Sequence, residues 1–74
     1  MDVAIIGGTG AEGFGLALRL GAAGHHITIG SRDSERGAAS AADVRDRLGA
    51  SAQVDGTTNE DAVGGAEVVA VTVP

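Results

Sequence analysis

Apolar positions along this 74-residue chain alternate between short β-branched runs and longer stretches spaced as helices are. From Asp2, the run Val3-Ala4-Ile5-Ile6 is apolar without alternation and stops at glycine, which predicts a strand covered on both faces, as in a parallel sheet. Between Gly10 and Gly24, Phe14, Leu16, Ala17, Leu18 and Leu20 are apolar while Glu12 and Arg19 share one polar edge. That pattern predicts a helix buried over most of its circumference, and Gly24 can take the left-handed backbone of a C-terminal cap. A second strand follows at His26-Ile27-Thr28-Ile29, then a turn at Gly30-Ser31-Arg32-Asp33. Ser34 to Leu48 is rich in alanine and charge and reads as a more exposed helix, with Ser31, Asp33 or Ser34 to cap its start and Gly49 to stop it. Ala52-Gln53-Val54 carries the faintest strand pattern, Thr57 and Thr58 read as turn residues, and Asn59 to Val63 as a short helical turn. Glu67 to Val73 is a clear fourth strand closed by Pro74.

This order of elements is that of an α/β protein, the N-terminal mononucleotide-binding half of a Rossmann-type doubly wound parallel sheet. Right-handed crossovers give it the spatial strand order 3-2-1-4. Residues 1–74 then form one dinucleotide-binding domain that stops at the carboxyl end of a strand, where such sheets place ligands. A truncated domain is the expectation.

Composition narrows the picture. With 13 glycines and Phe14 as the only ring, the core must be built from Ala, Val, Ile and Leu, and independent stability is not expected of so small a core. The absence of cysteine excludes disulfides, thiolate metal sites and a cysteine nucleophile, and fits a reducing cytoplasm. A net charge of −5 argues against nucleic-acid and anionic-membrane partners, so any anion must be held locally. No apolar stretch approaches the roughly 20 residues that cross a bilayer, and Met1-Asp2 opens no basic, apolar leader.

The first turn suits a pyrophosphate. Gly8-Thr9-Gly10-Ala11-Glu12-Gly13 fits G-x-G-x-x-G, and it leaves a strand, opens a helix and precedes a second strand. In that setting Gly8 permits the tight turn, Gly10 has no Cβ to hold phosphate away, and Gly13 lets the helix lie close on the strands. Amides from Thr9 to Glu12 then face the anion, aided by the helix dipole. The Thr9 hydroxyl can add a hydrogen bond, whereas Glu12 contributes backbone with its side chain in solvent. The competing reading is a turn that merely connects strand to helix.

The end of the second strand selects the cofactor. An NAD site places an acid about 20 residues beyond the fingerprint, to accept from the ribose 2′-hydroxyl. Here Gly30-Ser31-Arg32 stands instead, with Arg36 one helical turn further. Ser31 can donate to a 2′-phosphate, Arg32 can hold it bidentately or stack on adenine, and Arg36 reaches the same side. This points to NADP. Asp33 and Glu35 lie between the arginines, so local ion pairing at a solvated helix start is the alternative.

Other polar residues carry less. His25 and His26 point in different directions along a strand and find no third ligand of suitable spacing, so no metal is expected. They read as helix-end or core histidines. Asp43, Arg45, Asp46 and Arg47 form a solvated helical face, and Asn59-Glu60-Asp61 a capped helix start rather than a paired-carboxylate site.

The segments Ile5-Ile6-Gly7-Gly8-Thr9-Gly10, Gly13-Phe14-Gly15-Leu16-Ala17-Leu18-Arg19-Leu20, Gly24-His25, Ile29-Gly30-Ser31-Arg32 and Asn59-Glu60-Asp61-Ala62 together resemble the F420-dependent NADP reductases. The resemblance covers essentially the whole chain. It implies an oxidoreductase that transfers hydride reversibly between NADPH and the deazaflavin coenzyme F420. By the same resemblance, Thr9 to Glu12 bind the pyrophosphate, Ser31, Arg32 and Arg36 hold the 2′-phosphate, and Val73-Pro74 line the nicotinamide pocket. The family's C-terminal part, which completes the deazaflavin pocket and a homodimer, has no counterpart in these residues. Nicotinamide and deazaflavin carry the hydride themselves, so no catalytic side chain is assigned. Two alternatives stay open: another NADP-dependent reductase (imine, hydroxyacid or ketol-acid) with its proton-transferring group elsewhere, and a non-catalytic NADP-sensing module.

Overall fold

The computed structural model describes residues 1–7, 9–49 and 51–72. The elements are β1 (Asp2–Ile6), α1 (Ala11–Ala22), β2 (His26–Ser31), α2 (Ser34–Leu48), β3 (Val54–Thr58), α3 (Asn59–Gly64) and β4 (Val68–Val71). All strand pairings are parallel and the order is β3-β2-β1-β4, the half-sheet expected. Ile6 stands beside Gly30 on one side and Val71 on the other, so the carboxyl ends of β1, β2 and β4 lie level. Ligand-binding crevices form outside such ends.

The core is aliphatic. Val3 and Ile5 of β1, Ile27 and Ile29 of β2, and Val54 of β3 pack with Ala17 of α1 and with Ala41 and Val44 of α2. Ile5, Ile27, Ile29, Val44 and Val54 are fully buried, and each contributes about 1.5–3 kcal/mol relative to an exposed side chain. The helices end as the glycines require: Gly24 and Gly49 both have positive φ, at 96° and 107°.

Four expectations need correction. The second strand runs on through Gly30 and Ser31, which were expected to begin a turn. Only Gly13 and Ala17 of α1 are buried, while Phe14, Leu16, Leu18 and Leu20 are half-buried, so that helix is not enclosed over most of its circumference. The third strand is Val54–Thr58, which makes Thr57 and Thr58 strand residues and leaves Ala52 and Gln53 before it. The reason is tertiary: a Cβ on Gly56 would lie 1.9 Å from the Gly37 carbonyl oxygen, so α2 and β3 meet backbone to backbone where neither has a side chain. Val54, Thr57 and Thr58 are β-branched and suit a strand, and Gly56 between them gives the close approach to α2. The fourth strand is also shorter than expected, and Val68, Val69 and Val71 on it are exposed.

Histidine 26 fits neither expected role. Half-buried at the start of β2, it lies with Nδ1 3.0 Å from Asp2 Oδ1 on β1 and Nε2 2.9 Å from Asp55 Oδ2 on β3. Only the imidazolium can donate from both nitrogens, so the two acids raise its pKa above the usual 6.5, Asp55 more than Asp2. This clip spans three strands at the amino ends, opposite the crevice.

Candidate functional site

The β1–α1 turn begins at Gly7, whose φ is +74°. A Cβ there would sit 2.5 Å from the Thr72 carbonyl oxygen, so Gly7 has both the backbone and the crowding that require glycine. The tight-turn role expected of Gly8 is thus carried at least in part by its predecessor; Gly8 itself lies outside the described residues. Thr72, just past β4, closes the turn by donating to the Ile6 carbonyl from both its amide and its hydroxyl, each at 3.0 Å.

Gly10 is the N-cap of α1 and provides no capping side chain. The other helices differ: Asp33 Oδ1 accepts from the Glu35 amide at 2.8 Å, and Thr58 Oγ1 accepts from the Asp61 amide at 3.3 Å. So α2 and α3 close their own first turns, whereas α1 presents its first amides and the positive end of its dipole without a side-chain cap. Among the described residues, a Cβ on Gly10 would meet nothing nearer than the Gly7 carbonyl oxygen at 3.9 Å. The space beside Gly10 is open, the form a phosphate cradle needs. Gly13 is buried in the first turns of α1, and Ala11 and Glu12 are exposed.

Across the turn, β2 delivers Gly30 and Ser31. Ser31 is 4% exposed, and its Oγ accepts from the Asp33 amide at 3.4 Å, which leaves its hydroxyl proton to donate elsewhere. Arg32 and Arg36 are exposed, and neither pairs with Asp33 or Glu35 among the described residues. Asp33 is engaged as the cap of α2 instead.

These residues converge. Gly7, Thr9, Gly10, Ser31, Arg32, Arg36, Asn59 and Thr72 line one cleft of about 310 Å³. Ala11 and Glu12 line a neighbouring cleft of about 460 Å³ with Gly15, Leu16 and Arg19, and Thr72 borders both. The expected site residues Val73 and Pro74 lie outside the described residues. Reasoning from sequence missed Gly7, Asn59 and Thr72. Gly7 and Thr72 flank motifs that were read, but no local pattern tells that Asn59 reaches across the sheet. Among the described residues no group of three or more His, Asp or Glu side chains is arranged to hold a metal ion, and no helix is long and apolar enough to cross a membrane.

A parallel half-sheet whose carboxyl ends present a helix start without a side-chain cap, a glycine turn and two exposed arginines defines a dinucleotide-binding domain of the doubly wound class. The comparison with known proteins is more specific. The model of the family "NADP oxidoreductase coenzyme F420-dependent" matches residues 2–74, and the chain belongs to that family. It is similar to the F420-dependent NADP reductase of Methanothermobacter thermautotrophicus, 48% identical over 75 residues that cover 100% of this chain and 32% of that protein. The reductases of Methanothermobacter marburgensis and Methanocaldococcus jannaschii are 47% and 43% identical, again over 100% of this chain and 34% of each protein. The chain thus spans about a third of the length of these curated relatives.

Proposed function

We propose that this chain is the NADP-binding part of an oxidoreductase that transfers hydride between NADPH and coenzyme F420. The observation that carries the proposal is the convergence of Ser31, Arg32 and Arg36 with Thr9 and Gly10 on one cleft, with both arginines free of ion pairs among the described residues. In this reading the amides of Thr9 to Glu12 receive the pyrophosphate, with Gly8, Gly10 and Gly13 shaping the turn. Ser31, Arg32 and Arg36 hold the 2′-phosphate by charge-assisted hydrogen bonds. Val73 and Pro74 border the nicotinamide. The hydride passes between the two bound rings, and this chain contributes orientation and exclusion of water rather than an acid, a base or a metal.

Membership of the family supports a C-terminal part in the full-length protein that completes the deazaflavin pocket and forms a homodimer. The exposed valines of β4 support further chain packing against that strand. A cytoplasmic protein without nucleic-acid or membrane partners fits the acidic balance. The test is to mix the full-length protein with NADPH and oxidised F420. The absorbance of both should fall together, corresponding to equimolar losses of NADPH and oxidised F420; no change in either rules out the reductase, and turnover with NADH as fast as with NADPH rules out the assigned 2′-phosphate site.

A further inference from the structure

We propose that Asn59 is a positioning residue that holds the β1–α1 turn from the far side of β2, and so couples the pyrophosphate and 2′-phosphate ends of the cleft. The sheet order β3-β2-β1 means that a residue leaving β3 must pass over β2 to reach β1. Asn59, the first residue of α3 directly after β3, does so. Its Oδ1 accepts a long hydrogen bond of 3.5 Å from the Gly7 amide, across 52 residues of sequence. The crossing is possible because Gly30, between them on β2, has no side chain: a Cβ there would lie 2.8 Å from Asn59 Oδ1 and 3.0 Å from Asn59 Cα. Asn59 is also spared capping duty, since Thr58 accepts from the Asp61 amide. Its amide group is therefore available to the cleft, which it lines together with Ser31, Arg32 and Arg36 and with Thr9 and Gly10.

Gly7 is the left-handed residue from which the turn departs. An acceptor on its N–H restrains the direction in which Thr9 and Gly10 are presented, and the same side chain rests on the strand end that presents Ser31. A ligand contacting both ends uses a geometry that Asn59 has already set; a ligand contacting only the 2′-phosphate end does not. The expectation rests on the proposed NADP reading for its choice of ligands, but the hydrogen bond can be tested without it.

Asn59→Leu keeps the branched heavy-atom skeleton of the side chain and removes the acceptor. In the full-length protein it should weaken NADP+ about three- to tenfold, the size of a lost long hydrogen bond. It should leave adenosine 2′-monophosphate within twofold and shift the Gly7 amide proton resonance upfield. Asn59→Asp keeps an acceptor and should retain the Gly7 resonance near its native position, even though its charge weakens phosphate binding. Equal weakening of both ligands by Asn59→Leu, or unchanged NADP+ binding, overturns the positioning role. So does a Gly7 resonance indifferent to both substitutions. If the wild-type protein binds NAD+ as well as NADP+, or neither, the NADP reading fails while the Gly7 resonance still decides the role of Asn59.

Discussion

Substituting Gly10 by alanine should separate folding from binding. Gly10 has φ −81° and ψ 170°, extended backbone open to any L residue. Among the described residues an added Cβ finds only the Gly7 carbonyl oxygen, at the ordinary contact distance of 3.9 Å. Alanine is the poorer N-cap by less than about 1 kcal/mol, while the loss of glycine's freedom in the unfolded chain returns about 0.4–1 kcal/mol. The two effects nearly cancel, and the melting temperature should stay within about 3 °C. The methyl enters the open side of the cradle, against any phosphate oxygen that accepts from the Ala11 and Glu12 amides. Overpacking of that kind costs about 1–3 kcal/mol, or roughly five- to a hundredfold in Kd. Titration calorimetry with NADP+ and scanning calorimetry on the full-length protein measure the two quantities. A variant that melts several degrees lower yet binds normally would show that Gly10 serves the fold and not a ligand.

Gly56→Ala should do the reverse: with its Cβ 1.9 Å from the Gly37 carbonyl oxygen, α2 must move, and urea denaturation should show a loss of about 3 kcal/mol or more. Gly15→Ala, a mid-helix change with nothing within 4 Å of the new Cβ, should instead gain about 0.5–1 kcal/mol in the same assay. Arg32→Ala and Arg36→Ala should each weaken NADP+ roughly ten- to a hundredfold, the size of a hydrogen bond to a charged group, and barely affect NAD+, as read by parallel titrations. Equal losses for both nucleotides would place the arginines away from the 2′-phosphate. Asp55 and Asp2 raise the folded-state pKa of His26 above its unfolded value of 6.5, so the stabilisation is fully present below pH 6.5 and is lost as pH rises through the folded pKa. His26→Gln should flatten the decline of melting temperature above pH 6.5; an unchanged decline would assign it to other groups.

Much of this protein was legible along the chain because its information is local. An unbroken aliphatic run marks β1 and the Ile27-Thr28-Ile29 alternation marks β2 up to Gly30, and the span from Ser34 to Leu48 agrees to the residue because Asp33 and Gly49 are strong boundary signals at either end. The glycine turn and the Ser31-Arg32 pair are contiguous, so their chemistry could be read before their geometry. Tertiary structure decided what depends on elements distant in sequence. Val54–Thr58 is a strand because two glycines let α2 lie against it, which no pattern within those five residues announces. His26 is a charged clip because strand order brings Asp2 and Asp55 to either side of it. Asn59 and Thr72 join the cleft because parallel strands end level, which gathers residues from four separate turns at one edge of the sheet. Propensity and capping act over a few residues and are written in order along the chain, whereas backbone approach and charge pairing across strands exist only once the sheet has formed.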